Sequence, residues 1–167
     1  LKFQLAKGVS FLSSNSFGKR RTSSNFLTGR NYTIFYQSTE PEIQYQPNTR
    51  YRIAAKCRYV SKQNDEDLGG ETANIQDVGL EAKISDPGKG LIQAEVHWVE
   101  IEYNGDTNSA LGFEMLEALQ VGRNITWLAS VQRTIGKNLQ LNLTYNGRTS
   151  ENNPTVHTGG MQVRAFF

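Results

Sequence analysis

Histidine and cysteine, the side chains most often used in metal sites and nucleophilic catalysis, are rare in this sequence: His97, His157 and Cys57. The two histidines lie far apart, and neither has acidic or cysteine neighbours at the spacing of a zinc site. A single cysteine excludes an internal disulfide and a cysteine-rich zinc site. We therefore expect no metal and no cofactor. We interpret His97, beside Trp98, as a satisfied strand histidine, His157 as the start of the last strand, and Cys57 as a small apolar filler.

Two further groups of residues could carry chemistry. Residues 104–108, Asn-Gly-Asp-Thr-Asn, bring oxygen atoms together as a calcium loop does, but the run holds one acidic residue and no downstream bidentate glutamate. We interpret it as a turn. Serines are numerous, but none is accompanied by a recognisable base, so a membrane hydrolase is the less favoured alternative. The sequence therefore predicts a protein that is not an enzyme.

Composition excludes a helical membrane protein and gives no sign of a nucleic-acid partner. With 37% apolar residues and a mean hydropathy of −0.54, no window approaches the roughly 20 apolar residues of a membrane-spanning helix. A membrane β-barrel remains compatible, because its strands alternate lipid-facing and lumen-facing residues. The 18 basic and 16 acidic residues are interspersed, and the only tight basic run is 19–21. We expect no nucleic-acid partner.

Alternation with period two, typical of strands with one apolar and one polar face, recurs along the chain. The clearest case sets Leu139, Leu141 and Leu143 against Gln140 and Asn142. A proline at position 41 marks a bulge or an edge strand. The predicted strands are 3–13, 32–46, 51–59, 78–84, 91–103, 125–131, 139–145 and 161–167.

The connections alternate between short turns (46–49, 85–90 and 135–138) and long polar segments (14–31, 61–72, 104–124 and 146–154). Outer-membrane barrels have short periplasmic turns and longer extracellular loops. The sequence therefore predicts an all-β, antiparallel, up-and-down transmembrane barrel of about eight strands. Residues 1–167 form a single barrel domain or the C-terminal portion, an arc, of a larger barrel.

The faces of these strands indicate which solvent each meets. Aromatic residues near strand ends would form interfacial girdles: Tyr51, Tyr59, Trp98, Tyr103, Trp127, Tyr145 and Phe167. Ionised groups would cost about 2 to 4 kcal/mol each at the bilayer midplane, so they are predicted to face the lumen. They are Arg52, Lys56, Arg58, Glu81, Lys83, Glu95 and Arg164. The alternative is a soluble β-sandwich or lipocalin-like barrel that binds a carbohydrate or an apolar ligand.

The longest loop contains a run of helix-forming residues at 114–119. A helix there would place Phe113, Leu116 and Leu119 on one face. The sequence leaves two positions open for this extracellular-loop helix. It could lie across the outer rim, or it could fold into the lumen as a constriction.

The last strand carries Met161, Val163, Ala165 and Phe167 at alternate positions. This pattern resembles the C-terminal signal through which the barrel-assembly machinery recognises its substrates, by pairing with an exposed strand edge. Segments 113–124, 137–148 and 156–167 also resemble the C-terminal end of large envelope proteins of Bacteroidota.

This resemblance implies a location in the bacterial outer membrane, contact with outer-membrane lipid, and no catalytic residues. The chain begins at Leu1 without an initiator methionine or a signal peptide, so we expect it to be a piece of a longer protein. Our hypothesis is a barrel portion that serves envelope transport, secretion or assembly. Its partners would be the barrel-assembly machinery during biogenesis, other envelope subunits, or the missing N-terminal part of the same protein.

Overall fold

The computed structural model describes residues 1–26, 30–136, 138–151 and 153–166, and consists of one nine-stranded sheet and one short α-helix. The elements in chain order are β1 Lys2–Ala6, β2 Val9–Thr22, β3 Tyr32–Tyr45, β4 Tyr51–Asn64, β5 Thr72–Asp86, β6 Gly90–Tyr103, α1 Ala110–Met115, β7 Gly122–Ile135, β8 Leu139–Ser150 and β9 Asn153–Ala165. A 3₁₀ turn, Glu66–Leu68, lies between β4 and β5.

The strands follow one another in the sheet in the order β1 to β9, and every neighbouring pair is antiparallel. The predicted all-β, antiparallel, up-and-down fold is therefore confirmed. The count is nine rather than eight, because segment 3–13 is two strands joined by a turn at Lys7 and Gly8, where Gly8 has a φ of 77°. Within the described residues β1 and β9 pair with β2 and β8 alone, so the sheet is not closed into a barrel.

The strands extend further than the apolar alternation predicts. β2 continues to Thr22, and β8 and β9 are separated by residues 151–152 alone, so segments 14–22 and 146–150 are strand rather than loop. Ladder hydrogen bonds use backbone groups, so polar residues continue a strand beyond its apolar part. The longest connection is 104–121, between β6 and β7.

The proline in β3 does not mark an edge strand, because β3 pairs with β2 and with β4. Pro41 lies opposite Ser13 on β2. On the other side the pairing with β4 passes from Thr39 and Tyr59 directly to Glu42 and Lys56. This local gap is consistent with the missing N–H of proline.

The pleat divides the sheet into two faces, which the register keeps continuous from β2 to β9. The apolar face consists of the odd-numbered residues of β2–β4 and β7–β9 and the even-numbered residues of β5 and β6. The polar face consists of the remaining strand residues. Because all nine strands belong to one sheet, the described chain provides no second sheet to cover the apolar face.

The helix covers one end of the polar face, at the 104–121 loop. Ser109 caps it, since its Oγ accepts a hydrogen bond of 2.8 Å from the Gly112 N–H. Met115 and Leu116 are buried against the sheet in two small apolar clusters. Residues contributed to these clusters by β3 to β6 are Tyr32, Ile34, Val60, Ala73, Ile75, Val99, Ile101 and Tyr103.

Candidate functional site: the two faces of the sheet

Adjacent residues on β5 show how the two faces differ. Leu80 points to the apolar face and is 56% exposed, whereas Glu81 points to the polar face and is 5% exposed. Val78 is also 56% exposed. Soluble proteins bury large apolar side chains and expose carboxylates, so this arrangement is the reverse of the usual one.

The exposed apolar side chains form a continuous band on the apolar face. On β5 the band runs from Val78 to Ile84, about 20 Å along the strand, and it crosses the eight strands from β2 to β9, a width of about 34 Å. The band is therefore larger than the few hundred Å² of contiguous apolar surface that soluble monomers usually expose. On β4 it runs from Tyr51 to Tyr59, a length of nine residues, which suits a tilted membrane strand.

The apolar face becomes polar where the strands approach the 104–121 loop. On β4 the residue after Tyr59 on this face is Ser61, and on β5 the residue before Val78 is Gln76. On β6 and β7 the next residues are Glu100 and Arg123, which lie directly opposite each other. The band therefore has a defined edge at this end of the sheet.

The aromatic residues predicted to form girdles divide between the faces. Trp127, Tyr145 and His157 form a cluster on the apolar face, in which the Tyr145 hydroxyl and His157 Nδ1 are 2.8 Å apart. The Trp127 ring lies over Gly147, where a Cβ would collide with it. Tyr103 lies instead on the polar face, packed against the clusters beneath α1. Phe167 lies outside the described residues.

A network of ion pairs occupies the middle of the polar face. Arg52 donates to Glu81 at 2.6 Å and to Glu42 at 2.8 Å, and Lys56 also pairs with Glu81. Three neighbouring strands, β3, β4 and β5, contribute these four groups. Each of these four charges therefore has an opposite charge within contact distance, which offsets the cost of removing it from water.

A second network joins the polar face to the segment after α1. Arg58 and Lys62 pair with Glu117 at 2.8 and 2.9 Å. Lys62 also donates to the carbonyl of Met115 at 3.1 Å, and Arg20 pairs with Glu114. Burial would raise the pKa of Glu117, but hydrogen bonds from Arg58 and Lys62 and their positive charges outweigh it, so the pKa lies below the ordinary 4.5.

The seven ionisable residues predicted to face a lumen all lie on the polar face. Besides the paired cations of β4 and Glu81, they include Lys83 on β5, Glu95 on β6 and Arg164 on β9. Glu95 lies directly opposite Glu81 and approaches His97 Nε2 at 3.8 Å. The alternation in the sequence therefore identified their common face. It did not identify the partner Glu117, which belongs to the loop.

The helix begins and ends earlier than the sequence predicts, at Ala110 and Met115 rather than at 114 and 119. Glu117 and Ala118 have φ values of 54° and 62°, in the left-handed region, where a right-handed helix cannot continue. Phe113 is 66% exposed, while Leu116 is 3% exposed and Leu119 is half-buried. The predicted apolar face of this helix is therefore only partly the buried one.

A cavity of about 490 Å³ lies between α1 and strands β2, β3 and β4. Its wall includes three basic side chains, Arg20, Arg58 and Lys62, and three acidic ones, Glu40, Glu114 and Glu117. Most of these charges neutralise one another in the ion pairs described above. The cavity therefore has no clear preference for an anionic or a cationic ligand.

The residues considered for chemistry are dispersed. His97 Nδ1 lies 2.8 Å from Asp77, whereas His157 belongs to the aromatic cluster on the opposite face. Cys57 is an exposed thiol on the apolar face rather than a filler in a core. Among the residues that the structure describes, no three His, Cys, Asp or Glu side chains are arranged to hold a metal ion. None of the described helices has the length and apolarity needed to cross a bilayer.

Comparison of the sequence with protein-family models and with curated proteins returned no match. The two faces of the sheet are therefore the features from which a function can be inferred. One face has an extended apolar surface and the other a paired charge network with a helix docked at one end.

Proposed function

We propose that this chain is part of a bacterial outer-membrane β-barrel, in which the apolar face contacts lipid and the polar face lines the interior. The observation that carries the proposal is the contrast on β5 between exposed Leu80 and buried Glu81. An apolar band edged by polar residues suits the hydrocarbon layer of a membrane, about 25 Å thick in such barrels. A soluble β-sandwich would need a second sheet over this band, and a lipocalin-like barrel would place its apolar residues inside.

The proposed role is non-enzymatic. Among the described residues, the middle of the polar face is occupied by mutually paired charges such as those of Arg52, Lys56 and Glu81. A charged interior with a folded-in loop suits a portion of a transport, secretion or assembly protein of the envelope. Met161, Val163, Ala165 and Phe167 would present the last strand to the barrel-assembly machinery during biogenesis.

Fractionation of cells that produce the protein tests the membrane location. We expect the protein to sediment with outer membranes, to resist extraction with high salt and alkali, and to be released by detergent. A protein that stays monodisperse in buffer without detergent would contradict the proposal.

A charge placed in the band tests the lipid contact directly. Leu80→Arg should destabilise the protein by about 2 to 4 kcal/mol in lipid vesicles, because the new charge lies near the middle of the band. Gln76→Arg is the matched control, on the same strand and face but at the edge of the band, opposite Tyr59 and Glu100, and should cost no more than about 1 kcal/mol. Unfolding by urea in vesicles measures both. Equal effects of the two substitutions would exclude a hydrocarbon boundary between these positions.

A further inference from the structure

The outer edge of β2 has backbone groups that no described strand pairs. Leu1 and Ser13 exchange two backbone hydrogen bonds, of 2.8 and 2.9 Å, across the β1–β2 ladder. Antiparallel ladders repeat this arrangement every second residue. The next residues of β2 whose backbone N–H and C=O groups point to this outer edge have no β1 residue beside them. They are Asn15, Phe17, Lys19 and Arg21.

The outer edge of β9 is open along its whole length within the described residues. The Phe166 N–H donates to the Asn138 carbonyl at 2.8 Å. The backbone N–H and C=O groups of the even-numbered residues of β9 therefore point toward β8. The N–H and C=O groups of the odd-numbered residues point away from the sheet. Met161 and Val163 are among them, and their side chains belong to the apolar face, opposite Leu143 and Leu141.

These open groups conflict with the proposed lipid environment. A bilayer core has no water to bind free N–H and C=O groups, so an unpaired strand edge there is strongly unfavourable. Another strand must therefore pair with β9 on its outer side, and another with β1.

The direction of the strands decides which strand this can be. In a sheet of nine up-and-down strands, β1 and β9 run in the same direction, so direct closure would pair them in parallel. In addition, β1 has five residues and β9 has thirteen, so β1 would leave most of β9 unpaired. A second copy offers no better partner, because copies inserted in one membrane share an orientation and its β1 would also run parallel to β9. Antiparallel pairing on both edges requires an odd number of further strands, giving the even total found in bacterial barrels.

We propose that this sheet is an arc of a larger barrel, closed by an odd number of further strands of the same polypeptide. One of these strands pairs with the outer edge of β9, and the open edge beside Asn15 to Arg21 is paired as well. This inference rests on the proposed membrane function, which supplies the penalty for an open edge.

Proline substitution in the protein as it is produced by its own cells tests the pairing of β9. Gly159→Pro, at a position outside the proposed assembly signal, removes an N–H that points away from β8, a change that a true edge strand tolerates. If β9 is paired on both sides, the amount of assembled protein in the outer membrane should fall at least about tenfold. Gly159→Ala is the control for the added side chain and should assemble normally, because a Cβ there would meet only the Thr144 carbonyl oxygen, at 4.0 Å. Assembly of Gly159→Pro at the level of Gly159→Ala would overturn the inference.

The mass of the natural protein provides a second measurement that does not depend on a variant folding. An antibody against residues 104–121 should detect a membrane protein much larger than the 18.7 kDa of this chain. A membrane-embedded product of that mass, together with normal assembly of Gly159→Pro, would refute the added strands and leave the membrane function intact. A soluble product of any size would refute the membrane function itself.

Discussion

Leu116→Ala should release α1 from the polar face while leaving the sheet intact. Leu116 is 3% exposed and packs with Val60, Ile75, Val99 and Ile101. Truncating a leucine at such a packed site costs about 2 to 5 kcal/mol, because apolar contact is lost and a cavity remains. The loss falls on the docking of α1, since the sheet is held by its own ladder hydrogen bonds.

The matched control is Phe113→Ala, within α1, whereas Leu116 is the residue that caps its C-terminus. Phe113 is the larger side chain, but it is 66% exposed, so its removal should change the docking free energy by no more than about 0.5 kcal/mol. The comparison thus separates burial from size. A purely sequence-based view, which places Phe113 and Leu116 on one apolar face, expects comparable losses.

Amide hydrogen exchange in detergent or vesicles measures the release. The N–H of Phe113 donates to Ser109 and that of Leu116 to Gly112, at 3.0 and 2.9 Å, and both are protected only while α1 is folded. A loss of 2 kcal/mol raises the open population about 30-fold, so exchange in this segment should accelerate at least that much in Leu116→Ala. Equal acceleration in Phe113→Ala, or none in either variant, would refute the assigned packing.

Two other predictions concern charged groups. Because the pKa of Glu117 is lower in the folded protein than in the unfolded chain, its contribution to α1 docking is complete above pH about 4.5 and is lost as the pH falls through the folded pKa. Glu117→Gln should remove this pH dependence of docking. The measurement is the free energy of α1 opening, obtained from amide exchange at each pH. Glu81→Gln should destabilise the sheet by about 1 to 3 kcal/mol in urea unfolding, since Arg52 and Lys56 lose a buried anion. The exposed Asp67→Asn, also a loss of one negative charge, should have almost no effect, and an equal effect would contradict this reasoning.

Strand positions within the apolar band could be predicted from the sequence because alternation there reflects two different environments. β4 and β8 follow it closely, and so do the charges assigned to the polar face. The turn at Lys7 and Gly8 was missed because apolar residues continue on both sides of it. The polar ends of β2 and β8 were missed because backbone pairing, not side-chain hydropathy, holds those residues in the sheet.

The arrangement around α1 depends on information that local patterns lack. Helical periodicity over 113–119 cannot show that Glu117 and Ala118 adopt left-handed backbone conformations. It also cannot show that Met115, rather than Phe113, meets the sheet, since this follows from contacts with β3 and β5. Closure of the sheet is likewise a relation between its first and last strands, and neither strand's sequence specifies it.

The polar ends of the strands extend well beyond the apolar band. On β5 the strand continues six residues past Val78, about 20 Å, and β4 continues five residues past Tyr59, with α1 packed against both. If the chain lies in an outer membrane as proposed, with its longer connections outward, these ends form a stiff collar above the lipid headgroups. Proteases, antibodies and phage that approach from outside would then meet hydrogen-bonded strands and the connections between them, such as residues 65–71 and 104–121.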